Sequence, residues 1–209
     1  MEFNHIKDIN FPKLQELSLS MCQAKILDVF CGVESLNSVM ISSSKEEIIR
    51  RFIAIMITQP NMRHIHIKSP AKLLKFAMEQ TEIQLFETLH LERPPGALQI
   101  IFDGNNWPDG AILMHDLHHG LFRLINALEK SRMEDFILRV KITSKDDIET
   151  KCPDIKKWLD VLKEWEVDHL VHYEFSKKKD TYFFIFTISN VGCKVNGYRY
   201  SWKMWSSSL

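Results

Sequence analysis

The 209-residue chain is poor in the residues that make linkers and disulfide scaffolds: it holds 7 Gly, 7 Pro and 4 Cys. So little glycine and proline excludes a low-complexity or linker-rich chain. The cysteines, Cys22, Cys31, Cys152 and Cys193, show no Cys-x-x-Cys spacing. A zinc ribbon or redox pair is therefore disfavoured, and reduced thiols in a cytoplasmic or nuclear compartment are expected. No Asn-x-Ser/Thr sequon occurs, and the opening residues lack the basic-then-apolar order of an export signal. The longest apolar stretches, at 48–57 and 182–188, are too short or too interrupted to span a bilayer, so no membrane is expected. Neither sign of charge dominates, with 27 Lys+Arg against 27 Asp+Glu. Without a net field the chain has no long-range pull on nucleic acid, which disfavours that partner unless a local patch supplies the charge. Nucleotide-cradling glycine motifs and a Gly-x-Ser-x-Gly elbow are also missing. A protein that is not an enzyme, with no cofactor and no metal, is expected.

What is present is a spacing. Leu14-Gln15-Glu16-Leu17-Ser18-Leu19 carries apolar residues at offsets 0, 3 and 5, and the pattern returns from Leu36, Met62 and Phe86, at intervals of 22 to 26 residues. Between these starts the sequence reads as helix. Residues 45–58 place Ile48, Ile49, Phe52, Ile53 and Met56 at three- and four-residue steps, and residues 71–80 repeat the stripe with Leu73, Leu74, Ala77 and Met78. Ser43 or Ser44 is the expected cap of the first of these helices, with Glu46 and Glu47 in its first turn. The unit is a strand, a turn and a helix, and a helical return forces its strands to be parallel.

The first unit extends to Leu-x-x-Leu-x-Leu-x-x-Cys through Leu14, Leu17, Leu19 and Cys22, and the openings Phe11-Pro12-Lys13-Leu14 and Gln59-Pro60-Asn61-Met62 precede two of the starts. In these features the chain resembles the leucine-rich-repeat family, in particular the repeat domain of F-box/leucine-rich-repeat proteins. Nothing before Phe11 has room for the F-box helices themselves. The resemblance implies an α/β leucine-rich-repeat solenoid, with a parallel sheet on the concave face and helices outside. It also implies protein binding as the function, related to the substrate adaptors of ubiquitin ligases, with ligase subunits as partners only where an F-box is supplied elsewhere. Residues 1–143 form the expected array and 144–209 a further repeat with a strand-rich C-terminal cap, continuous with it.

In such an array the residues between the inward leucines face a protein ligand. The partner-binding candidates are Ser18, Met40, His64, His66, Lys68, Thr88, His90 and Glu92, with Asn105 and Trp107 as a rim from the turn-rich loop 103–110. One column is expected to run Ser18, Met40, His66, His90 and a second Ser20, Ser42, Lys68, Glu92. In the C-terminal half, Leu98–Phe102 suits another short strand. Leu117, Leu121, Leu124, Ile125 and Leu128 share a helix face, and Met133–Leu138 repeats the apolar offsets. Residues 182–189 and 197–205 read as an antiparallel hairpin closing the array. Two alternatives compete with protein recognition. The tail Tyr198-Arg199-Tyr200-Ser201-Trp202-Lys203-Met204-Trp205 interleaves aromatic and basic residues, as a base-stacking, phosphate-holding strand would. His115-x-x-His118-His119 has helical metal-ligand spacing, as in a metal-dependent enzyme, though it lacks the glutamate of His-Glu-x-x-His.

Overall fold

A computed structural model describes residues 13–20, 24–88, 97–105, 111–130, 135–153, 155, 160 and 170–190. Five parallel strands come first: β1 (Glu16–Ser20), β2 (Ser38–Ser42), β3 (His64–Pro70), β4 (Leu98–Asn105) and β5 (Phe136–Ser144). Helices lie between them: α1 (Ala24–Leu27), α2 (Glu46–Ile57), α3 (Leu74–Glu87) and α4 (Ala111–Lys130). A short α5 (Ile148–Lys151) follows β5, and then the hairpin β6 (Leu170–Lys178) and β7 (Thr181–Ser189). One seven-stranded sheet results, in the order β1-β2-β3-β4-β5-β7-β6, with β7 antiparallel to both of its neighbours.

The elements follow from local chemistry. Alternate residues of β2, β3 and β5 are buried, the pattern of a strand with one face in a core. Val39, Ile65, Ile100 and Leu138 stand side by side across β2 to β5, each nearly or wholly buried. α2 buries Ile48, Ile49, Phe52, Ile53 and Met56. Lys45 begins this helix; the Ser43 hydroxyl accepts its backbone N–H at 3.1 Å and caps no helical amide. The helices form a layer in which α2 packs on α1 and α3, and α3 on α4. Two ion pairs tie α3 to α4, Glu82–Arg123 at 3.0 Å and Lys75–Asp116 at 3.1 Å. Phe52, Phe102, Phe136, Phe184 and Phe186 are fully buried in one continuous core. At about 1.5–3 kcal/mol for each such side chain, that core is the main stabilising contribution.

The turns are stitched to their predecessors. Gln59 donates from Nε2 to the carbonyl of Phe30 at 2.7 Å, Asn61 from Nδ2 to that of Glu34 at 2.8 Å, and Ser35 from Oγ to that of Leu14 at 2.8 Å. The Gln-Pro-Asn segment thus satisfies backbone carbonyls that the sheet leaves open.

The expected leucine-rich-repeat solenoid is corrected by this architecture. Its parallel strands begin at Glu16, Ser38, His64, Leu98 and Phe136, so the connecting units lengthen along the chain where a repeat array keeps one period. The sheet ends in antiparallel strands, with β7 set between β5 and β6. The fourth apolar start, Phe86, belongs to the last turn of α3 and is exposed. The physical reason is that offsets 0, 3 and 5 follow from any strand buried on one face after a tight turn, and a helical stripe also supplies a three-residue step. Asp103, Gly104 and Asn105, read as loop, complete β4. The C-terminal hairpin is β6–β7; the expected strand 197–205 lies outside the described residues, as does most of the helix expected at 153–165.

β4 passes α3 so closely that Gly104 has no room for a side chain. A Cβ there would stand 2.7 Å from Leu74 Cδ1 and 3.2 Å from Ala71 Cα. Gly104→Ala is expected to destabilise the fold by about 1–3 kcal/mol, as overpacking does. Urea unfolding followed by circular dichroism should show the midpoint falling with an unchanged slope.

Candidate functional site

The sheet's second face carries its polar chemistry, because every residue between the buried ones points there. Register places these residues in rows. One runs Glu16, Ser38, His64, Gln99, Ile137; the next Ser18, Met40, His66, Ile101, Arg139; the third Ser20, Ser42, Lys68, Asp103, Lys141. Exposure is greatest over β1 to β3 and closes off toward β7, where Thr187 and Ser189 are buried. His64 Nδ1 meets Gln99 Oε1 at 2.9 Å.

Asp103 is the centre of the third row. Its side chain is only 7% exposed, and its Oδ2 lies 3.6 Å from both His66 Nε2 and Lys141 Nζ. Those are ion-pair distances, beyond a hydrogen bond. Burial pushes the Asp103 carboxyl up, while His66, Lys141 and Lys68 draw it down more strongly, so it is held below the ordinary carboxylate range. Arg139, in the adjoining row, donates from Nε to the buried Thr187 hydroxyl at 3.3 Å, and burial pushes its guanidinium down. The Lys141 ammonium also lies 5.8 Å from the Phe183 ring centroid, within cation–π range. Three permanent cations, Lys68, Arg139 and Lys141, therefore stand on β3 and β5 around one sunken carboxylate.

Among the partner-binding candidates, Ser18, Met40 and His66 stand in one row, with His64 and Lys68 on the same face of β3. Asn105 ends β4, its Oδ1 buried without a hydrogen-bond partner. Thr88 does not join them. It ends α3, and its hydroxyl donates to the carbonyls of Gln84 and Leu85, because the chain is still helical where a fourth strand was expected. His90, Glu92 and Trp107 lie outside the described residues. The columns instead continue through Ile101 and Asp103. Asp103, Arg139 and Lys141 were missed by sequence reasoning. The signal for Arg139 and Lys141 was present, since they alternate with Phe136, Leu138, Val140 and Ile142. Asp103 was hidden in a run of turn formers.

The metal-enzyme alternative is corrected as well. His118 and His119 are sequence neighbours on α4 with ring centroids 5.9 Å apart and an edge-on arrangement, and of the His115 side chain nothing is described. Among the described residues, no group of three His, Cys, Asp or Glu side chains converges on a common point. The aromatic and basic tail 198–205 lies outside the described residues. Among the described residues, no helix is long and apolar enough to cross a membrane.

No family model matches the chain, and no curated protein matches it. Several solved structures align with it, among them two methyltransferases. M. capricolum TrmK, in complex with S-adenosyl-homocysteine, is 8% identical over 91% of this chain and 69% of that one, with a TM-score of 0.28. Streptococcus pneumoniae Sp1610, assigned as a tRNA (m1A22) methyltransferase and bound to S-adenosyl-L-methionine, is 11% identical over 88% of this chain and 69% of that one, with a TM-score of 0.27. Likeness at these scores transfers no activity to this chain. The resemblance to F-box/leucine-rich-repeat proteins is overturned on other grounds: no family model matches the chain, and its sheet has lengthening units and ends in antiparallel strands. The ligase-adaptor function and the concave-face protein ligand, which that resemblance implied, are corrected with it; the exclusion of enzymatic activity, drawn from missing motifs, and the disfavouring of nucleic acid, drawn from balanced charge, are withdrawn too.

The low-lying Asp103 carboxyl has a consequence for stability. A carboxyl depressed by folding stabilises at pH values above its unfolded-state pKa of about 3.9, and that contribution is lost as pH falls through the lower folded value. Asp103→Asn should therefore cost about 1–2 kcal/mol at pH 7, and the difference from the unmodified protein should shrink as pH falls below about 4. Denaturant midpoints measured between pH 2.5 and 7 check this; a gap that stays constant would contradict it.

Proposed function

We propose that the second face of the sheet, from β2 to β5, binds a phosphate-bearing polymer, namely single-stranded RNA, in a cytoplasmic or nuclear setting. The observation that carries this is the placement of Lys68, Arg139 and Lys141 on one face around a single, nearly buried carboxylate. Neighbouring strands are about 4.8 Å apart, so Lys68 and Lys141 flank Asp103 at a spacing that lets successive phosphates engage different strands. Met40, Ile101 and Ile137, each partly exposed on the same face, offer apolar surface to unstacked bases beside those cations. An open sheet face serves unpaired RNA because bases can lie flat on it while phosphates reach its lysines and arginines. Balanced net charge is compatible with this, because local phosphate contacts supply the affinity through counterion release.

The test is fluorescence anisotropy with a labelled oligouridine at several salt concentrations. Binding should weaken as salt rises. Lys68→Gln with Lys141→Gln should reduce affinity about tenfold or more at low salt, and flatten the plot of log affinity against log salt by about 0.7 for each phosphate no longer neutralised. Lys68→Gln alone alters an exposed side chain and serves where the double variant folds poorly. RNA binding by this face is overturned if the oligonucleotide is not retained at low salt, or is retained with equal affinity by the variants. Saturable uptake of S-adenosyl-L-methionine without RNA retention would replace it with an enzymatic function.

A further inference from the structure

Arg139 is a partly buried cation, and among the described residues no carboxylate pairs with it. Asp103, on the next strand and in the next row, lies at ion-pair distance from His66 and Lys141 instead. The Arg139 Nε donates to Thr187 Oγ1 at 3.3 Å, which fixes the guanidinium against β7 and leaves its two terminal nitrogens for another acceptor. A charge taken out of water without a partner is unfavourable, so an anion is the missing counterpart. A guanidinium fork suits two oxygens of one phosphate better than any other side chain does. We infer that Arg139 receives the terminal phosphate of the RNA, so that this face holds a phosphorylated chain end. This rests on the RNA-binding function proposed above and names the form of RNA that the same site prefers.

The shape of the face favours an end over an interior stretch. Over β1 to β3 it is open, and at β7 it sinks: Thr187 is 2% exposed and Ser189 wholly buried, with the Ser189 hydroxyl lacking a hydrogen-bond partner. The floor beside the guanidinium thus holds a second polar group whose bonding is unmet. Beyond Thr187 in the same row stands His172 of β6, exposed, so small Thr187 lies between two larger side chains. An internal phosphodiester would have to bring the riboses on both of its sides down to Arg139. A terminal phosphate brings one, and its base can lie on Ile101, the neighbour of Arg139 on β4. Charge points the same way. A phosphomonoester carries about one and a half to two negative charges near neutral pH, more than the single charge of a diester, and so gains more from a cation that has no carboxylate of its own. Lys68 and Lys141 then hold the phosphates that follow along the chain.

The experiment is anisotropy at neutral pH and constant ionic strength with three oligouridines of one length, each labelled within the chain: 5′-phosphorylated, 3′-phosphorylated and unphosphorylated. One of the phosphorylated forms should bind about tenfold more tightly than the unphosphorylated one, the effect of charge-assisted hydrogen bonds to a fixed donor pair, and which form it is gives the polarity of the bound strand. Arg139→Lys keeps the charge and removes the fork, so its preference should fall to about twofold, what added charge alone contributes. Thr187→Val keeps Arg139 and removes the hydroxyl that holds it; it should lower the preference in the same direction, and it serves where Arg139→Lys folds poorly. Thermal melts establish that the variants are folded. Equal binding of all three oligomers, or a preference intact in Arg139→Lys, overturns recognition of the end by Arg139 and leaves RNA binding standing. Absence of binding to any of the three overturns both.

Discussion

The structure depends on a division between the two faces of one sheet. Side chains on successive strand positions project to opposite sides, so a strand that alternates apolar and polar residues must seat one side in a core and the other in water. β2, β3 and β5 alternate in this way, and their buried faces align into the row Val39, Ile65, Ile100, Leu138 beneath the helices. A one-residue slip in any of these strands would turn that row outward and bury the polar rows instead, so the hydrophobic core also fixes the register of the functional face. His66, Asp103 and Lys141 meet because Ile67, Phe102, Val140 and Ile142 are buried beside them.

The polar face is held in place by more than backbone register. Burial pushes the Asp103 carboxyl up, and three basic side chains from two flanking strands outweigh that and hold it below the ordinary carboxylate range. His66 and Lys141 lie at ion-pair distance from that carboxylate, and Lys68, on the same face, is exposed. Arg139 is anchored differently, through the buried Thr187 of β7, so the antiparallel hairpin bears directly on the site. The sheet's mixed character therefore matters to function: β7 supplies the hydroxyl that orients the guanidinium and the ring beside which Lys141 lies.

Much of the local structure was legible. The apolar stripe of α2 and the strand character of 14–19, 36–41 and 62–67 were readable from spacing, since each depends on which residues share a face over a few positions. Ser18, Met40, His64, His66 and Lys68 were picked as one face, and the register sets them on one. The reading went wrong where a short pattern had two physical origins. Phe86, Leu89 and Leu91 carry the same offsets as a strand, but the chain from Leu74 to Glu87 is helical and packs between α2 and α4. What decides this is the burial of Met78, Thr81, Glu82 and Leu85 against other helices. A period inferred across that point displaced the fourth strand and hid Asp103.

The sequence by itself determined which short segments prefer strand or helix and which of their residues must be buried, because those preferences act over one or two turns of chain. Only the tertiary structure decided that β4 begins at Leu98, that β7 enters between β5 and β6, and that a carboxylate from one strand sits between a histidine and a lysine from its two neighbours. Those outcomes arise from pairing between segments tens of residues apart, where the energy lies in shared burial and in the electrostatics of groups that no local pattern brings together.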